Sequence, residues 1–189
     1  MLVISGPSGC GKSTLCKCLL EDDRVEFSVS ATTRPMREGE VDGREYHFLD
    51  RASFRQRSDT GDFIEWAEVH DNLYGTLRRP MESALAAGKI YLIEIDVQGA
   101  LQLKALGVEG LYVFISPPSA QVLRDRLEGR GTDSQEVIER RLKKAEAEML
   151  EAHKYNVCIV NDNFDRALLE LRTLVGLENG ASCTNGGPA

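Results

Sequence analysis

The sequence predicts an α/β protein: an open parallel sheet flanked by helices, built on a phosphate-binding loop and carrying an inserted mixed α+β lobe and a helical lid. Three observations carry this. Gly6-Pro7-Ser8-Gly9-Cys10-Gly11-Lys12-Ser13 begins one residue after the apolar run Leu2-Val3-Ile4 and fits G-x-x-x-x-G-K-[ST] between a strand and a helix. The continuous apolar runs at 90–93, 111–115 and 157–160 read as strands covered on both faces. Segments of helical spacing lie between them, and strands alternating with helices give a parallel sheet with right-handed crossovers.

Taken in order, a first strand at about 2–5 leads through the loop to a helix at about 12–21, with Leu15 and Leu19 on one face. A second strand is expected at 27–29. Residues 30–89 differ in texture, rich in Arg, Glu, Asp and Gly, with short alternating runs at 46–49 and 63–66 that suggest small mixed strands. Helices are expected at about 97–106 and 119–128, and a longer one at about 134–153 carries Ile138, Leu142, Ala145 and Met149 at helical spacing. The last, at about 164–177, has Phe164, Leu168, Leu171 and Val175 on one stripe. The tail 178–189 has nothing to bury and is expected to be disordered. The resulting division is a core (1–29, 90–123, 153–177), an insertion (30–89) and a lid (124–152).

Composition narrows the function classes. A chain of 189 residues, 42% hydrophobic and 28% charged, suits one ordinary folded domain. No apolar stretch reaches membrane-spanning length, and the chain opens on its first strand, so neither a membrane segment nor a signal peptide is expected. The net charge of −7 argues against nucleic-acid binding. Cys10, Cys16, Cys18, Cys158 and Cys183 are odd in number, and Cys16 and Cys18 project in different directions from one helix; reduced thiols in a cytoplasmic protein are expected.

The loop points to a nucleoside triphosphate. Glycines let successive N–H groups turn inward as a nest for phosphate oxygens, and the helix adds its positive N-terminal end. Lys12 supplies a point charge for the β- and γ-phosphates, Ser13 a hydroxyl for Mg²⁺, and Thr14 continues the site into the helix. P-loops serve many chemistries, so the loop leaves the reaction open.

A GTPase switch is one rival. Asp96-Val97-Gln98-Gly99 matches D-x-x-G, but no Asn-Lys-x-Asp element occurs, and Asn161-Asp162-Asn163 lacks the lysine. Phosphoryl transfer to a second small molecule is the other. It must neutralise two groups of phosphates and exclude water with a mobile element. Arg34 and Arg37 supply cations in the insertion, and Arg124, Arg126, Arg130, Arg140 and Arg141 bracket Gly129-Arg130-Gly131, the layout of a hinged lid. Arg124 and Arg140 read as solvated helix face. Arg130, between glycines, reads as functional.

In order along the chain, Ile4-Ser5-Gly6-Pro7-Ser8-Gly9, Ser28-Val29-Ser30-Ala31-Thr32-Thr33-Arg34, Phe63-Ile64-Glu65-Trp66, Asn72-Leu73-Tyr74-Gly75-Thr76, Asp96-Val97-Gln98-Gly99 and Leu127-Glu128-Gly129-Arg130-Gly131-Thr132 closely resemble guanylate kinases. The resemblance runs from Val3 to about Leu171. It implies ATP-dependent phosphorylation of GMP or dGMP with Mg²⁺, in guanine nucleotide recycling. It places Ser30, Arg34, Arg37, Tyr46 and Tyr74 on the GMP phosphate, and Glu65, Thr76 and Asp96 on guanine. It places Arg126, Arg130 and Arg141 on the transferring phosphates, with Lys12 and Arg34 also catalytic, and Asn161 near the adenine of ATP.

The chemistry agrees. Guanine offers N1–H and an amine as donors to carboxylates, whereas adenine would leave them facing an acceptor. Two positions depart from the family pattern. Glu94 stands where Asp is frequent, leaving a water-mediated contact with Mg²⁺ open, and Leu73 replaces a common second tyrosine. The alternative is an inert guanylate-kinase-like interaction module. Such a module is expected to lose loop or lid residues, whereas Lys12, Ser13, Arg34, Arg37 and Arg130 are all present.

Overall fold

The computed structural model describes residues 1–69, 71–129 and 134–177. Its main sheet contains β1 (Leu2–Ser5), β2 (Val25–Phe27), β7 (Ile90–Glu94), β8 (Leu111–Ser116) and β9 (Val157–Val160), in the order β2-β7-β1-β8-β9 with every pairing parallel. The second sheet, in the order β4-β3-β6-β5, holds β3 (Ala31–Thr32), β4 (His47–Phe48), β5 (Phe63–Val69) and β6 (Asn72–Leu77) and is mixed.

β1 is central and buried throughout. Its successor β2 lies two places to one side, beyond β7, while β8 lies against its other edge. Ligands of open α/β sheets bind outside the carboxyl ends of strands at such a change of direction. The glycine-rich loop leaves β1 there.

One face of the main sheet packs on α1 (Lys12–Leu19) and α7 (Phe164–Leu174), joining Leu2, Ile4, Leu15, Leu19, Ile115 and Leu171. The other face packs on α3 (Arg78–Ala86) and α4 (Val97–Ala105) through Val3, Tyr91, Ile93, Ala84 and Leu103. The second sheet and α2 (Arg51–Asp59) share a core of Ala31, Phe54, Phe63, Leu73 and Leu77. α5 (Ala120–Glu128) and α6 (Gln135–Leu150) bury Leu123, Leu127, Ile138, Leu142 and Ala145 together.

Several bounds differ from the sequence expectation for local reasons. The second strand is Val25–Phe27, not 27–29: Ser28 donates a last rung to the Leu92 carbonyl (2.8 Å), and the chain then crosses to the second sheet. α2 and α3 leave little periodic trace because each buries one side chain outright, Phe54 and Ala84. α2 starts on a cap, the Asp50 carboxylate accepting the Ser53 N–H (2.8 Å). α7 stops at Leu174 because Gly176, at φ 71°, lets Leu177 and Gly176 donate back to the Arg172 and Thr173 carbonyls. Cys10, Cys16 and Cys158 are free thiols. The tail expected at 178–189 lies outside the described residues.

Candidate active site

The loop after β1 is fixed by what surrounds it. Gly6 has φ 140°, and a Cβ there would lie 2.2 Å from the Ile115 carbonyl oxygen. Gly11 has φ 96°, and its Cβ would lie 2.3 Å from Asn161 Nδ2. That amide donates to the Cys10 carbonyl (2.8 Å), while Arg126 donates to the Asn161 (2.8 Å) and Cys10 (3.4 Å) carbonyls. Asn161 and Arg126 thus stand beneath the loop, holding its shape, rather than in the lining of the cavity above it. Cys10 is fully buried, and burial pushes its thiol pKa up against the opposing pull of Lys12.

α1 begins at Lys12 with no acidic residue in its first turn, so its positive end stays uncompensated by its own side chains. The Lys12 ammonium donates to the Gly6 (2.7 Å) and Pro7 (2.8 Å) carbonyls. Ser13 donates its hydroxyl to Glu94 Oε1 at 2.6 Å, joining the loop to the end of β7. These two oxygen-bearing side chains are a hard donor set of the kind that suits Mg²⁺.

A cavity of about 630 Å³ opens above the loop. Gly6, Ser8, Gly9, Gly11, Lys12, Ser13 and Thr14 line one end, and Ser30, Tyr46, Glu65 and Tyr74 the other, with Glu94, Asp96 and Arg141 between. Most of the residues expected at the site therefore face one space. Arg34, Arg37 and Thr76 are close by but outside the lining, and Arg130 lies outside the described residues.

Glu65 is the most constrained of these groups. A register shift between Phe63 and Glu65 sets it opposite Thr76 of β6, re-aiming a strand that would otherwise alternate. It is 5% exposed, and Thr76 donates to its Oε1 at 2.6 Å. Burial raises its pKa to about 7; the Thr76 bond pulls down, and the Asp96 charge pushes up further. Asp96 caps α4, accepting the Gly99 N–H at 2.8 Å, and a Cβ on Gly99 would collide with Ile95 (2.4 Å). The D-x-x-G element is thus a helix cap that sets a carboxylate on the cavity wall.

Arg34 forks onto Glu40, with 2.7 and 3.0 Å contacts, and lies over the rings of Tyr46 (5.5 Å) and Phe48 (5.6 Å). Glu40 also accepts the Arg37 N–H (2.8 Å), while the Arg37 side chain is exposed. Tyr46 and Tyr74 meet edge to face, 5.9 Å apart. Arg124 pairs with Glu139 (2.6 Å), bridging α5 and α6 with both side chains partly exposed.

The guanylate kinase family model matches residues 1–178. The chain belongs to the guanylate kinase family. It is 49% identical over 180 residues to a guanylate kinase of Rhodopseudomonas palustris, covering 94% of this chain and 82% of that one. Over 173 residues it is 51% identical to a guanylate kinase of Oleidesulfovibrio alaskensis, covering 91% and 84%. It superposes on the crystal structure of guanylate kinase from Anaplasma phagocytophilum with a TM-score of 0.74 at 34% identity, covering 97% and 87%. These matches agree with the guanylate kinase resemblance and with the α/β fold read from the sequence. No helix among the described residues is long and apolar enough to cross a membrane.

The sequence did not single out Ser28, Glu45, Lys144 and Glu148, which also line the cavity. For the last two a signal existed: they stand three and seven residues after Arg141 on one helix, hence on its face.

Proposed function

We propose that this chain transfers the γ-phosphoryl group of ATP to GMP or dGMP, giving ADP and the diphosphate. One observation carries the reading: a buried carboxylate, Glu65, braced by Thr76 and facing Asp96, shares a single cavity with a phosphate-binding loop. Guanine's N1–H and amine match two acceptors there, and adenine would leave them unpaired at a cost of about 1–3 kcal/mol per group.

Loop N–H groups, the α1 terminus and Lys12 hold the triphosphate. Ser30, Tyr46 and Tyr74 hold the acceptor phosphate, and Arg34 and Arg37 turn toward it in exchange for Glu40. The acceptor oxygen is already ionised near neutral pH, so it attacks in line without a side-chain base. Arg126, Arg130 and Arg141 belong to the lid, where guanidinium groups offset charge developing on the phosphoryl oxygens. Asn161 acts on the ATP side by shaping the loop. Ser13 and Glu94 would hold Mg²⁺, Glu94 directly or through water, and the ion would neutralise phosphate charge when bound.

The core, the insertion at 30–89 and the lid at 124–152 are the parts that close on the two nucleotides, in a cytoplasmic setting. Nothing favours an inert module. The test is ADP release on mixing the chain with ATP, Mg²⁺ and a panel of nucleoside monophosphates. Release is expected with GMP and dGMP and little with AMP, CMP or UMP; no release with any of them refutes the reading.

A further inference from the structure

α6 turns a charged stripe toward the cavity. Arg141, Lys144 and Glu148 all line it, while Ile138, Leu142 and Ala145 of the same helix are buried against Leu123 and Leu127 of α5. Apolar packing therefore sets which face of α6 looks onto the substrates. On that face Lys144 Nζ lies 3.5 Å from Glu148 Oε1, the lysine 60% exposed and the glutamate 14%. The carboxylate is the anchored partner and the ammonium the reaching one. Glu148 also lies within electrostatic range of both Lys12 and Asp96.

Charge balance gives the stripe a task. The cavity lining carries more carboxylates than cations, its cations being Lys12, Arg141 and Lys144. Two nucleotides bring their phosphates into this space, and every ammonium that reaches them offsets repulsion that rises as the phosphates approach. A lysine suits this: a compact charge on a flexible stem, able to leave one partner for another.

We infer that Lys144 is a further catalytic residue, its ammonium contacting the phosphates where ATP and GMP meet, and that Glu148 is a positioning residue that keeps it over the cavity. This rests on the function proposed above. In that role Lys144 neutralises charge and transfers no proton.

The test uses the full chain with Lys144→Met, Lys144→Arg, Glu148→Gln and the Lys144→Met/Glu148→Gln pair. Steady-state rates are read beside GMP affinity from the fluorescence of Trp66, the single tryptophan, whose neighbours Glu65 and Ala67 line the cavity. Lys144→Met is expected to lower kcat about tenfold, with GMP affinity and the unfolding midpoint nearly unchanged. Lys144→Arg should recover most of the rate. Glu148→Gln should lower kcat less and add nothing once Lys144 is gone. Wild-type kcat in Lys144→Met, or equal losses in the Met and Arg variants, overturns the catalytic role. A Glu148→Gln effect that persists in the pair overturns the positioning role. Wild-type turnover in the same run separates the two levels: its absence overturns the proposed function and this role together, whereas turnover indifferent to Lys144 overturns the role alone.

Discussion

The two ends of the cavity are made of different material. At the loop end the working groups are main-chain amides, held by glycine conformations and close packing: a Cβ on Gly6 would meet a β8 carbonyl, and one on Gly11 the Asn161 amide. At the lobe end the working groups are side chains from separate strands, held by polar pairs such as Thr76 with Glu65 and Arg34 with Glu40. A cradle set by sterics is pre-organised and tolerates little change. A reader set by buried charge can be altered without unfolding, and it responds to pH. Damage at the loop end should stop chemistry, while damage at the lobe end should change which base is accepted.

The sharpest way to break this contrast is Lys12→Ala. Turnover is expected to fall at least about 10³-fold, because the charge that follows the γ-phosphate is gone. GMP affinity, read from Trp66 fluorescence, should move only a few-fold. Near wild-type turnover would remove the distinction between the two ends.

Glu65→Gln tests the other end. The amide keeps the shape and offers one acceptor where guanine needs a carboxylate, so kcat/KM for GMP should fall about 10²-fold, in line with unpaired polar groups in a specificity pocket. Titration gives a second readout. The Glu65 pKa stands at about 7 in the folded chain against an ordinary value of 4.5. The folded state therefore holds a proton that the unfolded state has lost between those values, and stability declines as pH rises through that window. The penalty is complete above about pH 7 and reaches up to about 3 kcal/mol, at 1.36 kcal/mol per unit. Glu65→Gln should thus gain stability over wild type between pH 4.5 and 7 and hold that gain at higher pH, measured by denaturant unfolding at each pH. GMP binding runs the opposite way in the wild type. Its donors select the ionised carboxylate, so the Kd should tighten from pH 6 to 8, and the variant should keep only the shallower slope that comes from ionisation of the GMP phosphate itself.

Asn161→Ala probes the support beneath the loop. It leaves the Cys10 carbonyl with only the long Arg126 contact, and about 1–3 kcal/mol of stability should go with the lost buried bond. KM for ATP should rise more than KM for GMP. A selective rise for GMP would show that the ends are not independent.

The same contrast decides what was legible in the sequence. The loop is eight consecutive residues with a main-chain role, so local pattern sufficed. The strands at 90–93 and 111–115 showed as apolar runs because both their faces are covered, whereas the equally apolar run at 157–160 forms an edge strand that leaves Cys158 and Val160 exposed. α2 and α3 stayed hidden because burial of Phe54 or Ala84 alone makes no periodicity. Glu65 and Thr76 meet only through a strand pairing that includes a register shift; in sequence they are an unremarkable acid and a threonine, and only resemblance linked them. Asn161 and Arg126 are far apart in sequence, and nothing local shows that both donate to the Cys10 carbonyl of the loop. Lys144 and Glu148 sit within a charged stretch that reads as solvated surface until the opposite face of α6 is seen to be buried.

The smallest effect is expected from thiol chemistry, and it sharpens the picture of a closed loop. Cys10 stands in the middle of the phosphate-binding sequence, where a reactive thiol would make turnover sensitive to oxidation. Its side chain is fully buried, however, and burial raises its pKa, so the thiolate that alkylating agents require is scarce and out of reach. Cys16 is likewise buried with its pKa raised well above the ordinary value, whereas Cys158 is exposed on the edge strand β9. Treatment with iodoacetamide at pH 8 should therefore label Cys158 ahead of Cys10 and Cys16 and leave turnover within about twofold of the untreated chain. Peptide mass mapping beside the ADP-release assay reads both. Labelling of Cys10 with loss of activity that ATP prevents would mean that the loop opens to solvent between turnovers, and the cradle would then owe its shape to the nucleotide rather than to Ile115, Asn161 and Arg126.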